Sequence, residues 1–230
     1  GILKPAIGNT IYYPSVTVTA NIFIGLLLAS VIQSLGPRLR SFFRAAYYLP
    51  AVTSTLIIGL TWAYIFNAQW GFANWLLRLV NLPPVRWLSN PDIALNSILL
   101  SAVLTMPATA IVLFSAAIGS IPQELYEATD LDGATPIQKW WYITVPLLKS
   151  TTLYLTVLYT IASFEVFERI YVMVPSGVGN STQTIVTQIY NNGFKEFDFG
   201  VAAAQAFVLF VMIAIVAAFQ FRFLRSDVEY

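Results

Sequence analysis

Four runs of this chain, residues 11–35, 45–66, 93–121 and 201–221, contain no Asp, Glu, Lys or Arg. Each is long enough as a helix, at about 1.5 Å per residue, to cross a hydrocarbon layer about 30 Å thick. Hydrocarbon holds no water to satisfy backbone N–H and C=O groups, and a helix satisfies them within the segment. A fifth run is uncharged from Ser150 to Phe164, then continues through Glu165, Glu168 and Arg169 to Val174 before Pro175. The sequence therefore predicts an all-α polytopic transmembrane bundle of five spans, forming one domain over residues 1–230.

The rest of the composition agrees. Only 10% of residues are charged, against about 25% in soluble domains. The 15% of aromatic residues suits belts at the lipid interface. A net charge of +1 offers no broad basic surface, which argues against a nucleic-acid partner. With no Cys and no His, the chain lacks a thiolate nucleophile, the commonest general base and the commonest metal ligand, so an intramembrane enzyme is disfavoured. Gly1 onward shows neither a basic region nor a small-residue cleavage site of a signal peptide. No P-loop is expected either, because the Lys149-Ser150 pair follows Thr144-Val145-Pro146-Leu147-Leu148 with no glycine to cradle a phosphate.

Orientation follows from Lys and Arg in the short loops, which stay on the cytoplasmic side. One side carries Arg38, Arg40, Arg44, Lys139, Lys149, Arg222 and Arg225; the other carries Lys4, Arg78, Arg86 and Lys195. The more basic side includes the loop 120–146, which is thereby placed inside. Trp70, Trp75 and Trp87 fall at the outer surface, around a turn at Asn81-Leu82-Pro83-Pro84.

The loop 120–146 is longer than a connection requires, and it carries its own helix signals. Ser120-Ile121-Pro122-Gln123 and Thr135-Pro136-Ile137-Gln138 both have capping-box spacing with Pro in the first turn. Gly133 is placed to end the first helix near Asp132 in a left-handed conformation. Leu125, Ala128, Leu131 and Ala134 recur at helical spacing, flanked by Glu124, Glu127, Asp130 and Asp132. A helix resting on anionic lipid is usually rich in Lys and Arg, so four acids before Lys139 favour a groove on a partner protein over the lipid surface.

Glu127-Ala128, Gly133, Ile143 and Pro146 together resemble the EAA loop of ABC importer permeases. Asn9-Thr10, Phe42-Phe43-Arg44, Asn180-Ser181-Thr182 and Phe197-Asp198-Phe199-Gly200 extend that resemblance along nearly the whole chain, towards the carbohydrate-importing branch. Thr129 stands where the motif has a second alanine, and Val145 where it has leucine before Pro146; both leave the helical pattern intact. The resemblance implies a type I importer fold with a further helix ahead of residue 1. It implies that Glu127, Ala128, Asp132, Gly133, Ala134, Ile143 and Pro146 seat in a cytoplasmic ATPase subunit. ATP would then be bound by two such partner subunits, with no cofactor on this chain. A second permease, a solute-binding protein docking on loops 68–92 and 175–198, and a sugar substrate complete the implied system in a prokaryotic inner membrane. An ion-gradient-driven secondary transporter, without any ATPase, is the alternative from another class.

Two constellations lie inside the spans. Glu165 and Arg169 are four residues apart, the spacing of an ion pair on one helical face; equally, Glu165 and the weaker candidate Glu168 suit acceptance of hydrogen bonds from sugar hydroxyls. Ser97, Ser101, Thr105 and Thr109 repeat every four residues beside Pro107, a small-polar stripe fit for helix packing or for lining a solute path. Ser101 and Thr105 are the path candidates there.

Overall fold

A computed structural model describes residues 3–224 apart from Met106 and Ser176; Arg225, counted above among the basic residues, lies outside them. Among the described residues the regular structure is entirely helical. Three stretches are continuous enough and apolar enough to cross a membrane: α1 (Leu3–Gln33), the stretch Ala94–Gly119, and a C-terminal helix. The other two expected spans are broken.

The second span divides into α2 (Pro37–Val52) and α3 (Thr55–Ile65), with Ser54 extended at φ −56°, ψ 134°. Val52-Thr53-Ser54-Thr55 supplies the reason: β-branched and hydroxyl side chains lose rotamer freedom in a helix or compete for its backbone groups. After α4 (Phe72–Leu79), the stretch Ala94–Gly119 comprises α5 (Ala94–Leu104) and α6 (Ala108–Gly119), separated at Pro107, which cannot donate to the preceding turn. The loop helices α7 (Gln123–Leu131), α8 (Pro136–Lys139) and α9 (Val145–Leu147) follow. The fifth span is α10 (Lys149–Phe164) and a separate α11 (Glu168–Met173) rather than one helix. Helices α12 (Ile185–Tyr190) and α13 (Phe199–Leu224) complete the chain.

The chain forms two compact units, one of Gly1–Thr19, Thr53–Thr105 and Tyr159–Ile215, the other of Ala20–Val52, Met106–Leu158 and Val216–Tyr230. In the first, Tyr13, Phe66, Leu95, Ile98, Leu99, Ile170, Met173 and Val174 form the core. Lipid tails are as apolar as these side chains, so close packing and hydrogen bonds, rather than escape from water, hold such helices together. Gly59 illustrates this, since a Cβ there would meet Val172 Cγ1 on α11 at 3.3 Å.

Loop 68–92 is organised by a buried amide. Asn74 donates to the carbonyls of Ala68 and Val85, both at 2.9 Å, and accepts from Val85 N–H at 2.9 Å and Trp87 Nε1–H at 3.0 Å. Asn81 takes the left-handed φ of 57° after α4, as the predicted turn requires. Trp70 and Trp75 are exposed, and Trp87 is half-buried, packed on Phe66 with ring centroids 5.4 Å apart at the margin of that core. Asn9 on α1 donates to the carbonyls of Asn180, Ser181 and Gln183 at 3.3, 3.0 and 2.8 Å, and Thr10 Oγ1 accepts from Ile185 N–H at 2.9 Å. Two motifs about 170 residues apart in sequence thus form one frame.

In the second unit a Cβ on Gly25 would lie 2.5 Å from Ala110 Cβ, so α1 and α6 approach closely there. Arg44 donates to Gln33 Oε1 at 3.0 Å and to the Ser115 carbonyl at 3.2 Å, tying α2 to α1 and α6.

Candidate functional site

The loop 120–146 is a folded element of the second unit. Pro122 precedes α7 in an extended conformation, while Ser120 Oγ donates backwards to the Ala117 carbonyl at 2.8 Å. The first expected capping box is therefore absent: the hydroxyl closes α6 instead of opening α7. The C-terminus of α7 matches expectation. Gly133 has φ +71°, its N–H reaches the Asp130 carbonyl at 3.1 Å, and Ala134 N–H reaches the Thr129 carbonyl at 3.0 Å, the paired bonds of a Schellman ending. No atom lies within 4 Å of a Cβ built on Gly133, so the backbone angle, not crowding, calls for glycine. The second capping box is formed: Thr135 N–H donates to Gln138 Oε1 at 2.8 Å, and Gln138 N–H donates to Thr135 Oγ1 at 3.4 Å.

Helix α8 runs straight into a π-helical turn, Trp140–Thr144, before α9. Such insertions of an extra residue per turn are rare and are found often at functional sites. Three side-chain links fix the turn. Lys139 pairs with Asp130, the Tyr126 hydroxyl meets Thr144 Oγ1 at 2.9 Å, and Trp140 Nε1–H donates to Ser30 Oγ on α1 at 2.8 Å. The outer face of α7 is left uncovered: Glu127, Ala128 and Asp132 are exposed, and Leu131 is 91% exposed. Pro146 is also exposed, whereas Ala134 and Ile143 are half-buried.

The translocation candidates lie in the first unit. The Glu165–Arg169 ion pair does not form. Helix α10 ends at Phe164, and Phe167 departs from helical angles at φ −131°, ψ −61°, so the two side chains no longer share one helical face. Among the described residues the single ion pair is Lys139–Asp130. Arg169 instead donates from Nη1 to Ser101 Oγ at 3.2 Å and Thr105 Oγ1 at 3.3 Å. Thr105 Oγ1 also accepts from Trp62 Nε1–H at 3.0 Å. The serine and threonine stripe is thus the seat of an intramembrane guanidinium. Ser97 and Ser101 are buried and Thr105 is half-buried, while Thr109, beyond the Pro107 break, is exposed. Glu165 and Glu168 are both exposed at the break between α10 and α11.

A pocket of about 80 Å³ opens beside α11, lined by Tyr171, Gln183, Thr187, Tyr190 and Lys195 among others. Sequence reasoning missed it, although Phe167 and Tyr171, and Tyr190 and Phe194, are spaced four apart. These rings stack with centroids 5.2 and 5.6 Å apart, and the pairs meet at Phe167 and Tyr190, 4.8 Å apart. A hydrogen bond with Tyr171 holds the Tyr190 phenol above its ordinary pKa.

This arrangement has known counterparts. Residues 21–226 match the family described as binding-protein-dependent transport system inner membrane component. The arabinooligosaccharides transport system permease protein AraP of Halalkalibacterium halodurans is 34% identical over 225 residues, covering 95% of this chain and 71% of that protein. The sn-glycerol-3-phosphate transport system permease protein UgpA of Agrobacterium fabrum is 30% identical over 224 residues, covering 96% and 75%. A crystal structure of a bacterial alginate ABC transporter, in complex with its alginate pentasaccharide-bound periplasmic protein, contains a chain that superposes with TM-score 0.88 at 25% identity, covering 96% of this chain and 77% of that one. An ion-gradient carrier finds no support among these relatives. The uncovered loop, the broken apolar helices and this match over most of the sequence lead to one assignment: the chain belongs to the binding-protein-dependent inner membrane components, the membrane-spanning permeases of ABC importers.

Proposed function

We propose that this chain is the non-catalytic permease of a saccharide importer in a prokaryotic inner membrane. It works beside a second permease and two ATPase subunits and receives solute from an extracytoplasmic binding protein. The observation that carries the coupling role is the face of α7: a helix closed at its C-terminus by Gly133 presents Glu127, Ala128 and Leu131 as exposed residues. An exposed apolar strip rimmed by acids is what a partner's groove would take. Asp132, Gly133 and Ala134 hold the turn, and Ile143 and Pro146 carry the motion into α10.

The sugar assignment rests on the relatives, which carry arabinooligosaccharides and a glycerol phosphate ester, and on the hydrogen-bonding groups of the first unit. Glu165 and Glu168 offer acceptors to sugar hydroxyls, while the Thr105 hydroxyl, already engaged by Trp62, Arg169 and the Ser101 carbonyl, shapes the path by holding Arg169. Ser101 acts through Arg169, whose guanidinium it helps to hold.

The test is purification of the complex and measurement of ATP hydrolysis stimulated by a sugar-loaded binding protein, before and after Glu127→Ala and Gly133→Val. Both substitutions are expected to release the ATPase subunits and abolish uptake. Uptake that persists without any ATPase subunit would overturn this function.

A further inference from the structure

The pocket beside α11 has a composition that selects a ligand. Its walls are aromatic: Phe167, Tyr171 and Tyr190 line it, and Phe194, exposed to solvent, extends the stack from Tyr190. Lys195 is the one charged residue among those lining it. Its Nζ lies 5.8 Å from the centre of the Tyr171 ring and 5.7 Å from that of Tyr190. No carboxylate among the described residues is within ion-pair distance of it.

One further group is unsatisfied. Gln183 Oε1 is buried and has no hydrogen-bond partner among the described residues, a costly state for a buried acceptor. The backbone of Gln183 is nevertheless fixed, because its carbonyl accepts from Asn9 Nδ2–H at 2.8 Å. The Gln183 residue, a cation without an anion and a set of ring faces line one recess. Pockets with apolar walls and a few fixed polar groups are the usual form of small-molecule sites.

We propose that this recess binds an acidic sugar unit, a hexuronate of the transported saccharide. Its carboxylate accepts from Lys195, and the C–H face of the ring rests on Tyr190 and Phe194, with Gln183 forming part of the wall. The half-open recess, about 80 Å³, admits the carboxylate-bearing edge and leaves the ring on the exposed aromatics. Glu196 and Asp198 follow Lys195 in sequence but do not line the recess. This inference rests on the saccharide reading above and narrows it from sugars in general to anionic ones.

The test uses the purified permease complex without its binding protein, so that the binding protein's own selectivity does not enter. The probes are a hexuronate trisaccharide and the same trisaccharide with its carboxylates reduced to alcohols, with binding measured by calorimetry at low and high salt. The acidic form is expected to bind about tenfold more tightly, with a preference that shrinks as salt rises. Lys195→Gln is expected to erase the preference and Lys195→Arg to keep it. Equal affinity for the two forms, or a preference that survives Lys195→Gln, overturns the proposal. If neither form binds while a loaded binding protein still stimulates ATP hydrolysis with sugar, the pocket proposal fails and the saccharide reading stands. If no sugar stimulates hydrolysis at all, the saccharide reading itself fails, and this inference with it.

Discussion

The Tyr126 hydroxyl lies 2.9 Å from Thr144 Oγ1, joining α7 to the π-helical turn across a sequence separation of 18 residues. Thr144 is buried, so removing its partner leaves a polar group unsatisfied. Tyr126→Phe is expected to destabilise the loop by about 1 kcal/mol. Faster proteolytic cleavage near Leu131, at unchanged yield of inserted protein, is the expected result. Parental cleavage rates would show that the bond carries no load.

Gly133 stands at φ +71° with open space around it. A side chain there meets no neighbour and is penalised only by its own backbone, by about 1–2 kcal/mol. Gly133→Ala should therefore leave membrane insertion intact while reducing co-purification of the ATPase subunits. Gly133→Asn, which tolerates the left-handed region, should restore much of it.

Arg169 is held by two hydroxyls and no carboxylate among the described residues. A partly buried charge of this kind adds little stability, and an apolar replacement of similar length is often neutral or stabilising. Arg169→Met is expected to keep or raise the thermal unfolding temperature in detergent while lowering uptake. Ser101→Ala, which strips one acceptor from the guanidinium and keeps the charge, should lower that temperature. The opposite pattern would make Arg169 a structural residue alone.

Glu165 is exposed just past the end of α10. If it accepts hydrogen bonds from solute, Glu165→Gln should raise the substrate concentration needed for half-maximal uptake several-fold and leave unstimulated ATP hydrolysis unchanged. An unaltered concentration dependence removes Glu165 from the path.

Asn74 makes five hydrogen bonds from one buried side chain. Asn74→Leu keeps the bulk and strands the Trp87 indole N–H, the Val85 N–H and the Ala68 and Val85 carbonyls, at a cost of roughly 3 kcal/mol or more. A red-shifted Trp fluorescence and tryptic cleavage at Arg78 or Arg86 are the measurements that check it.

Much of this protein was legible without coordinates. Uncharged runs of membrane length allow only helices, because hydrocarbon leaves no alternative for the backbone. Gly133 and the Thr135 cap could be placed because their rules are local, spanning four or five residues. Ser120 failed under the same rule, since its hydroxyl donates to the Ala117 carbonyl of the preceding helix instead of accepting from α7.

The breaks at Ser54 and after Phe164 were less accessible. The backbone at these breaks pairs locally, Ile58 N–H with the Ser54 carbonyl and Val166 N–H with the Ser163 carbonyl, so only apolar runs of ordinary appearance mark them in the sequence. The sequence alone determined that this is a helical membrane protein with a structured loop between two of its apolar stretches. Only the tertiary structure decided that Arg169 abandons Glu165 for Ser101 and Thr105, that Asn9 meets residues 180–183, and that Lys195 overhangs Tyr171 and Tyr190. Arg169 with Ser101 and Thr105, Asn9 with residues 180–183, and Lys195 with Tyr171 each join segments far apart in the chain, and such packing is set by side-chain shape and long-range hydrogen bonds that no local pattern encodes.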